Sequence, residues 1–287
     1  MKSLAAAVAV VLALAAPRAG RAAPEGWPEK LTMGLIPTES SSHQTERWDD
    51  LIKYLSKRLG IPVEAKTSTD YNGVITAMQF KHVDLAYLGP KSYVEAAARA
   101  NAEAFCLEVT EDGSQGYHSL ILVKKGSGLK TFADLKGKTW AFTDPNSTSG
   151  TLVPMVYFVK EARIEPQKYF SKVSYSGSHE ASILSVKGGK VDAASTNDLD
   201  RARGGGKLWS KADFDVVWTS KLIPGSPIAY RKELPDSLKK AIREAFLGFD
   251  DAAGLKKLKI SRYAAADDAV YDPIREQIEV KKQLAQQ

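Results

Sequence analysis

The segment Tyr71–Ala86, YNGVITAMQFKHVDLA, can be laid without a gap over His179–Ala194, HEASILSVKGGKVDAA. Ile75 then falls on Ile183, Met78 on Val186, Val83 on Val191, Asp84 on Asp192 and Ala86 on Ala194. In each copy apolar residues recur at helical spacing and are followed by a short Val-Asp strand. Upstream, TMGLIPTESSS and TWAFTDPNSTS also correspond, each a strand that breaks at Pro into hydroxyl residues before a helix. A repeat on this scale predicts two lobes of one α/β architecture, each about a hundred residues.

The intervening segments fit that plan. WDDLIKYLSKRLG places Trp48, Leu51, Ile52, Leu55 and Leu59 on one helical stripe that stops at Gly60. Strand-like runs alternate with such helices, the pattern of mainly parallel sheets flanked by crossover helices. GYHSLILVKKG (116–126) and WTSKLIPGSPIAYRK (218–232) read as two strands by which the chain passes between lobes and back, a pair suited to a hinge. The expected division is a first lobe of residues 30–117 with 222–287, and a second of 118–221. PDSLKKAIREAFLGF rejoins the first lobe as a capped helix, and the tail beyond Asp250 reads as further helices.

The chain opens MKSLAAAVAVVLALAAPRAGRAAPEG, with a Lys, an apolar run from Leu4 to Ala16 and small residues before a cut after Ala22. That layout is a secretory signal, and the run is short for a membrane span, the alternative being a retained anchor. No Cys follows it to take a lipid. Residues 1–22 carry Lys2, Arg18 and Arg21 and no acid, so their loss lowers the formal charge of +6 by three. The remainder is too weakly basic to indicate nucleic acid. A soluble, exported protein is expected. Cys106 is the only cysteine, which excludes an internal disulfide; in EAFCLEV it reads as a small core hydrophobe, with a reactive thiol as the alternative.

Function should lie where helices begin. In open α/β sheets ligands collect beyond the carboxyl ends of strands, where helix N-termini present unpaired N–H groups and a partial positive charge. Two lobes facing each other through those ends would line a cleft with Thr38, Ser40, Tyr71, Ser147, Thr148, Ser149 and His179. DPNSTSG (144–150) supplies three hydroxyls and a Gly at one such start, which suits an oxyanion held without Lys or Arg. An ordinary Asx turn and N-cap would use the same residues. Pro154, beyond the first turn, removes a backbone donor on either reading. His179 could donate to an anion or simply cap, and Tyr71 could donate or simply pack.

Asp84 and Asp192 read as pins for their strands. The histidines have no metal-site spacing, and no cofactor is expected. G-x-S-x-G, H-E-x-x-H and a complete P-loop are missing. A hydrolase using Ser147 and His179 remains the catalytic alternative, without a third residue.

GLIPTES, DYNGVITAM, VDLAYLGPKSY, DPNSTSGTLVP, GSHEAS and LIPGSPIAYRK together resemble the periplasmic phosphonate-binding proteins of bacterial ABC importers over nearly the whole mature length. The resemblance implies a two-lobed type II periplasmic binding fold that closes on a phosphonate-like anion and docks on a membrane permease. It implies that Tyr71, Ser147, Thr148, Ser149 and His179 hold the phosphonate oxygens. Two departures bear on the ligand. The family's W-Y-G after the Val-Asp strand becomes AYLGP, which puts Leu88 at the place of a ligand-touching tyrosine and Tyr87 one earlier. Ser226 stands where members that hold an aminoalkylphosphonate carry an acid, and Asn197 or Asp198 near a second such acid. An uncompensated ammonium in a closed cleft is costly. The departures therefore point away from 2-aminoethylphosphonate and toward methylphosphonate or phosphite. The same cleft would also suit phosphate capture or a sensor role, and no catalysis is expected. The physical expectation is that opposed helix openings, rather than fixed cationic side chains, grip the ligand.

Overall fold

A computed structural model describes residues 24–204 and 207–284. The proposed export signal at residues 1–22 lies outside them. In chain order the strands are β1 (Leu31–Leu35), β2 (Val63–Thr67), β3 (Leu85–Tyr87), β4 (Ala102–Thr110), β5 (Gly116–Tyr117), β6 (Ser119–Lys124), β7 (Thr139–Phe142), β8 (Lys172–Tyr175), β9 (Ala193–Asn197), β10 (Phe214–Thr219), β11 (Ile223–Pro224), β12 (Pro227–Arg231) and β13 (Ile260–Ala265). The α-helices are α1 (Ser41–Leu59), α2 (Tyr71–Gln79), α3 (Pro90–Ala100), α4 (Val153–Val156), α5 (Pro166–Tyr169), α6 (His179–Lys187), α7 (Asp198–Arg203), α8 (Asp236–Leu247), α9 (Ala252–Leu258) and α10 (Asp272–Leu284).

Two sheets form, ordered β13-β4-β12-β3-β1-β2 and β10-β6-β9-β7-β8, with a small β5–β11 ribbon where the chain passes between them. The sequence repeat is visible as topology. In the larger sheet β1 pairs in parallel with β2 and β3, and in the smaller β7 pairs in parallel with β8 and β9. In both, the next strand outward is antiparallel: β12 beside β3, and β6 beside β9. The sheets are therefore mixed rather than mainly parallel. The strands that arrive from the other lobe enter from the opposite end, which reverses their direction. The C-terminal tail also departs from its all-helical reading, because Ile260–Ala265 adds β13 to the edge of β4.

The matched segments behave alike in detail. Asp84 Oδ2 accepts from Thr32 N at 2.8 Å, and Asp192 Oδ2 accepts from Thr139 N at 2.8 Å, so each aspartate ties its strand to the start of the neighbouring one. Asp70 caps α2 through Gly73 N at 2.7 Å, and Ser178 caps α6 through Ala181 N at 3.0 Å. Tyr71 and His179 consequently occupy the same first helical position in helices of equal length.

Burial follows the apolar pattern. β1 is buried along its whole length, as a strand covered on both faces must be. Trp48, Leu51, Leu55 and Leu59 of α1 turn onto the larger core, with Gly60 closing the helix in the left-handed region at φ 74°. A second aromatic core gathers Trp140, Phe142, Phe158 and Phe170 under the smaller sheet. Cys106 is fully buried in the first core, and burial pushes its thiol well above the usual range, so it acts as a small hydrophobe. Among the described residues no helix is long and apolar enough to cross a membrane.

Candidate binding site

β7 runs out at Phe142, and the backbone turns at once into a helix whose first turns are π rather than α, Thr148–Leu152. Ser147 caps it by accepting from Gly150 N at 3.0 Å. The turn is bound tightly to the end of β7: Thr143 N donates to Gly150 O at 3.0 Å, and Thr151 Oγ1 donates to Asp144 O at 2.7 Å. Gly150 is required by that approach, because a Cβ there would lie 2.2 Å from Thr143 Oγ1 and 2.3 Å from Thr143 Cβ. The glycine thus serves helix–strand packing rather than the approach of a ligand. Pro154 lies in α4 between two π-turns, Thr148–Leu152 and Tyr157–Glu161, so the missing donor falls in a helix already widened around it.

Ser147, Thr148, Ser149 and His179 from the smaller-sheet side meet Thr38, Tyr71, Tyr87 and Ser226 from the larger-sheet side around one cavity of about 20 Å³. That is slightly more than one water needs, a size for a compact polar group. Asn197 also lines it, as does Tyr117 of the ribbon. Several bonds cross from one side to the other. Lys91 N donates to Thr148 Oγ1 at 2.8 Å, Lys91 Nζ to Asn146 Oδ1 at 2.6 Å, and Glu180 N to Thr38 O at 3.0 Å. Tyr71 N lies 3.4 Å from Asp144 Oδ2, a longer contact of the same kind.

Two residues expected at the site stand elsewhere. Leu88 is fully buried in the larger apolar core, its N–H bonded to Pro227 O at 3.1 Å, because the chain leaving β3 turns that side chain into the core while Tyr87 faces the cavity. Ser40 is half-exposed before α1, where its hydroxyl pairs with Ser42 at 3.3 Å.

The electrostatics are those of buried groups. Tyr71 is 1% exposed and its hydroxyl has no partner among the described residues. Burial, with Asp200 and Asp144 nearby, pushes its phenol well above 10, so it stays a neutral donor. Tyr87 is pushed up to about 12 by burial and by Glu108, to which its hydroxyl donates at 3.3 Å. His179 has its pKa lowered by burial, Asp200 opposing and Arg203 adding to the effect. In this closed arrangement the imidazole is therefore neutral at pH 7, with Nδ1 3.0 Å from Thr196 Oγ1 and Nε2 3.4 Å from Ser147 Oγ.

Sequence reasoning missed the pair Asp200 and Arg203, both in the cavity wall and each about nine-tenths buried or more. Arg203 Nη1 donates to Asp200 Oδ1 at 2.8 Å. Burial works against both charges, yet each holds the other ionised: Asp200 below the usual carboxylate range and Arg203 above its own. A fixed cation is thus present, against the expectation of helix openings alone, although Asp200 balances its charge. The i, i+3 spacing in DLDRAR was the available signal. Asp200 Oδ2 also lies 3.9 Å from His179 Nδ1, a third residue for the hydrolase alternative. The geometry does not serve it: Ser147 Oγ already caps its helix, and Nδ1 sits closer to Thr196 than to Asp200.

Two lobes, each a mixed sheet with helix starts turned to a shared polar cavity, define the type II class of periplasmic binding proteins. The sequence pattern of the family described as "ABC transporter, phosphonate, periplasmic substrate-binding protein" matches residues 33–271. The chain belongs to that family. It is 35% identical over 256 residues to the phosphonates-binding periplasmic protein of Escherichia coli K12, covering 86% of this chain and 75% of that protein. It is 31% identical over 278 residues to the phosphate-import protein PhnD of Mycolicibacterium smegmatis, covering 88% and 85%. The crystal structure of a binding-protein component of an ABC phosphonate transporter from Pseudomonas aeruginosa superposes with a TM-score of 0.83 at 34% identity, covering 89% of this chain and 87% of that one.

Proposed function

We propose that this protein captures a phosphonate-class oxyanion between its lobes and delivers it to the permease of an ABC importer, without chemical change. The observation that carries this reading is the Tyr71 hydroxyl, buried without a partner among the described residues in the wall it shares with Ser147, Thr148, Ser149 and His179. An unmet buried donor costs free energy that an oxyanion would offset, and the π-turn beginning at Thr148 adds backbone N–H groups and dipole. Tyr71, Ser147, Thr148, Ser149 and His179 hold the oxygens; Tyr87, Asn197 and Ser226 bound the rest of the chamber. Residues 30–117 with 222–287 close against 118–221 about the β5–β11 ribbon. The protein works as a monomer in the periplasm once residues 1–22 are removed.

Phosphonate and phosphate, the cargo classes in the names of the two relatives, share the oxyanion but differ in the substituent on phosphorus. Thermal melting with methylphosphonate, 2-aminoethylphosphonate, phosphite, phosphate and sulfate separates them. A ligand at a hundred times its Kd stabilises by about 2.7 kcal/mol. The proposal expects a clear rise in Tm with at least one phosphonate and none with sulfate. Melting unmoved by every phosphorus compound would overturn it.

A further inference from the structure

The wall of the cavity has unmet donors and no unmet acid. Its one carboxylate among the described residues, Asp200, is already engaged at both oxygens, Oδ1 by Arg203 at 2.8 Å and Oδ2 by Asn197 Nδ2 at 2.7 Å. Glu108 has an unpartnered Oε1, but it bonds to the Tyr87 hydroxyl and is not part of the wall. The charge of Asp200 is balanced by Arg203, so among the described residues the wall holds no free carboxylate to pair with an ammonium group.

Arg203 presents the opposite case. Its side chain is 6% exposed, and both Nε and Nη2 are buried without a partner among the described residues. Nε and Nη2 are the side edge of the guanidinium, the fork that matches a carboxylate with two parallel hydrogen bonds. The third nitrogen is the one bound to Asp200, so that pair leaves the fork unoccupied. Arg203 also stands at a boundary. It ends α7, away from the helix starts that carry Tyr71, Thr148 and His179, and it lines a second, larger cavity of about 350 Å³ where the acids Glu39, Glu46 and Glu180 stand with the cations Arg47, Lys257 and Lys259.

We propose that Arg203 determines specificity by reading the substituent on phosphorus: the cargo is a phosphonate bearing a carboxylate a carbon or two away. The phosphonate occupies the small cavity, and the carboxylate extends toward the larger one and takes the Nε–Nη2 fork. This deepens the functional reading above and rests on it.

Calorimetric titration of methylphosphonate, 2-aminoethylphosphonate and phosphonoacetate into the mature wild-type chain, Arg203→Lys and the double variant Asp200→Asn with Arg203→Gln tests it. The wild type should prefer phosphonoacetate over methylphosphonate by roughly tenfold or more, the usual worth of a charge-assisted pair. 2-Aminoethylphosphonate should be the weakest of the three. In both variants the preference for phosphonoacetate should fall toward one. Arg203→Lys keeps the charge without the fork, and the double variant leaves no buried ion alone. A structural role would weaken all ligands together and leave their ratio unchanged. A wild-type preference for methylphosphonate or 2-aminoethylphosphonate, or a ratio that survives in Arg203→Lys, overturns the proposal while capture of phosphonates stands. If none of the phosphorus compounds binds, the functional reading itself fails.

Discussion

Replacing Tyr71 by Phe removes one oxygen and should act with opposite signs on stability and on binding. The ring is 1% exposed and packed in the larger core, so its shape and apolar contacts persist. The hydroxyl has no partner among the described residues, and a buried polar group left unmet costs about 1–3 kcal/mol. Deleting it returns up to that amount to the ligand-free closed protein. At roughly 2–4 °C per kcal/mol for a chain near this size, Tm should rise by a few degrees. With an oxyanion bound, the same hydroxyl makes a hydrogen bond to a charged group, worth about 1.5–3 kcal/mol, so Kd should weaken by roughly ten- to a hundredfold. Differential scanning calorimetry of the free variant and titration with whichever phosphonate binds the wild type give both numbers. A Tm that falls by several degrees with affinity unchanged would refute the reasoning, since the hydroxyl would then be a structural donor and no part of the binding wall.

Gly150→Ala should destabilise by about 1–3 kcal/mol, the usual range for overpacking, because the new methyl would meet Thr143 at 2.2–2.3 Å; a melting curve within a degree of wild type would contradict that. Glu108→Gln should stabilise the protein increasingly as pH rises. Burial lifts the Glu108 pKa, so the wild type loses stability as pH climbs from about 4.5 through the raised value, and glutamine does not titrate. A Tm difference independent of pH between 4 and 8 would contradict the burial argument. Oxyanion binding should take up protons near neutral pH, because His179 is held neutral by burial and an anion beside it favours the imidazolium. Titration in buffers of different ionisation enthalpy reads the uptake, and His179→Asn should reduce it; equal uptake in both would place the proton elsewhere.

Much of the fold was legible because it is written twice. The match of Tyr71–Ala86 to His179–Ala194 became two helices of nine residues, two aspartate pins and two parallel strand triplets. The antiparallel members were not legible, since strand direction depends on where the chain re-enters a sheet, which apolar pattern does not encode. β13 was hidden for a related reason: ISRYAA is too polar to stand out, and it becomes a strand by pairing with β4. At the site, Tyr71 and His179 could be placed from their position at helix starts, and Ser147–Ser149 from the capping pattern. Leu88 could not, because one residue of register decides whether a side chain faces cavity or core. Asp200 and Arg203 escaped notice because a surface Asp-x-x-Arg pair and a buried one look the same in sequence.

The central claim is that helix starts from both lobes hold one oxyanion. A crystal structure of the mature protein grown with a phosphonate that stabilises it would test this most directly. The account predicts phosphonate oxygens within hydrogen-bonding distance of Tyr71 Oη on one side and of Thr148 and Ser149 on the other. An anion seated instead in the outer cavity by His43 and Lys257, with the Tyr71 hydroxyl still unmet, would contradict it.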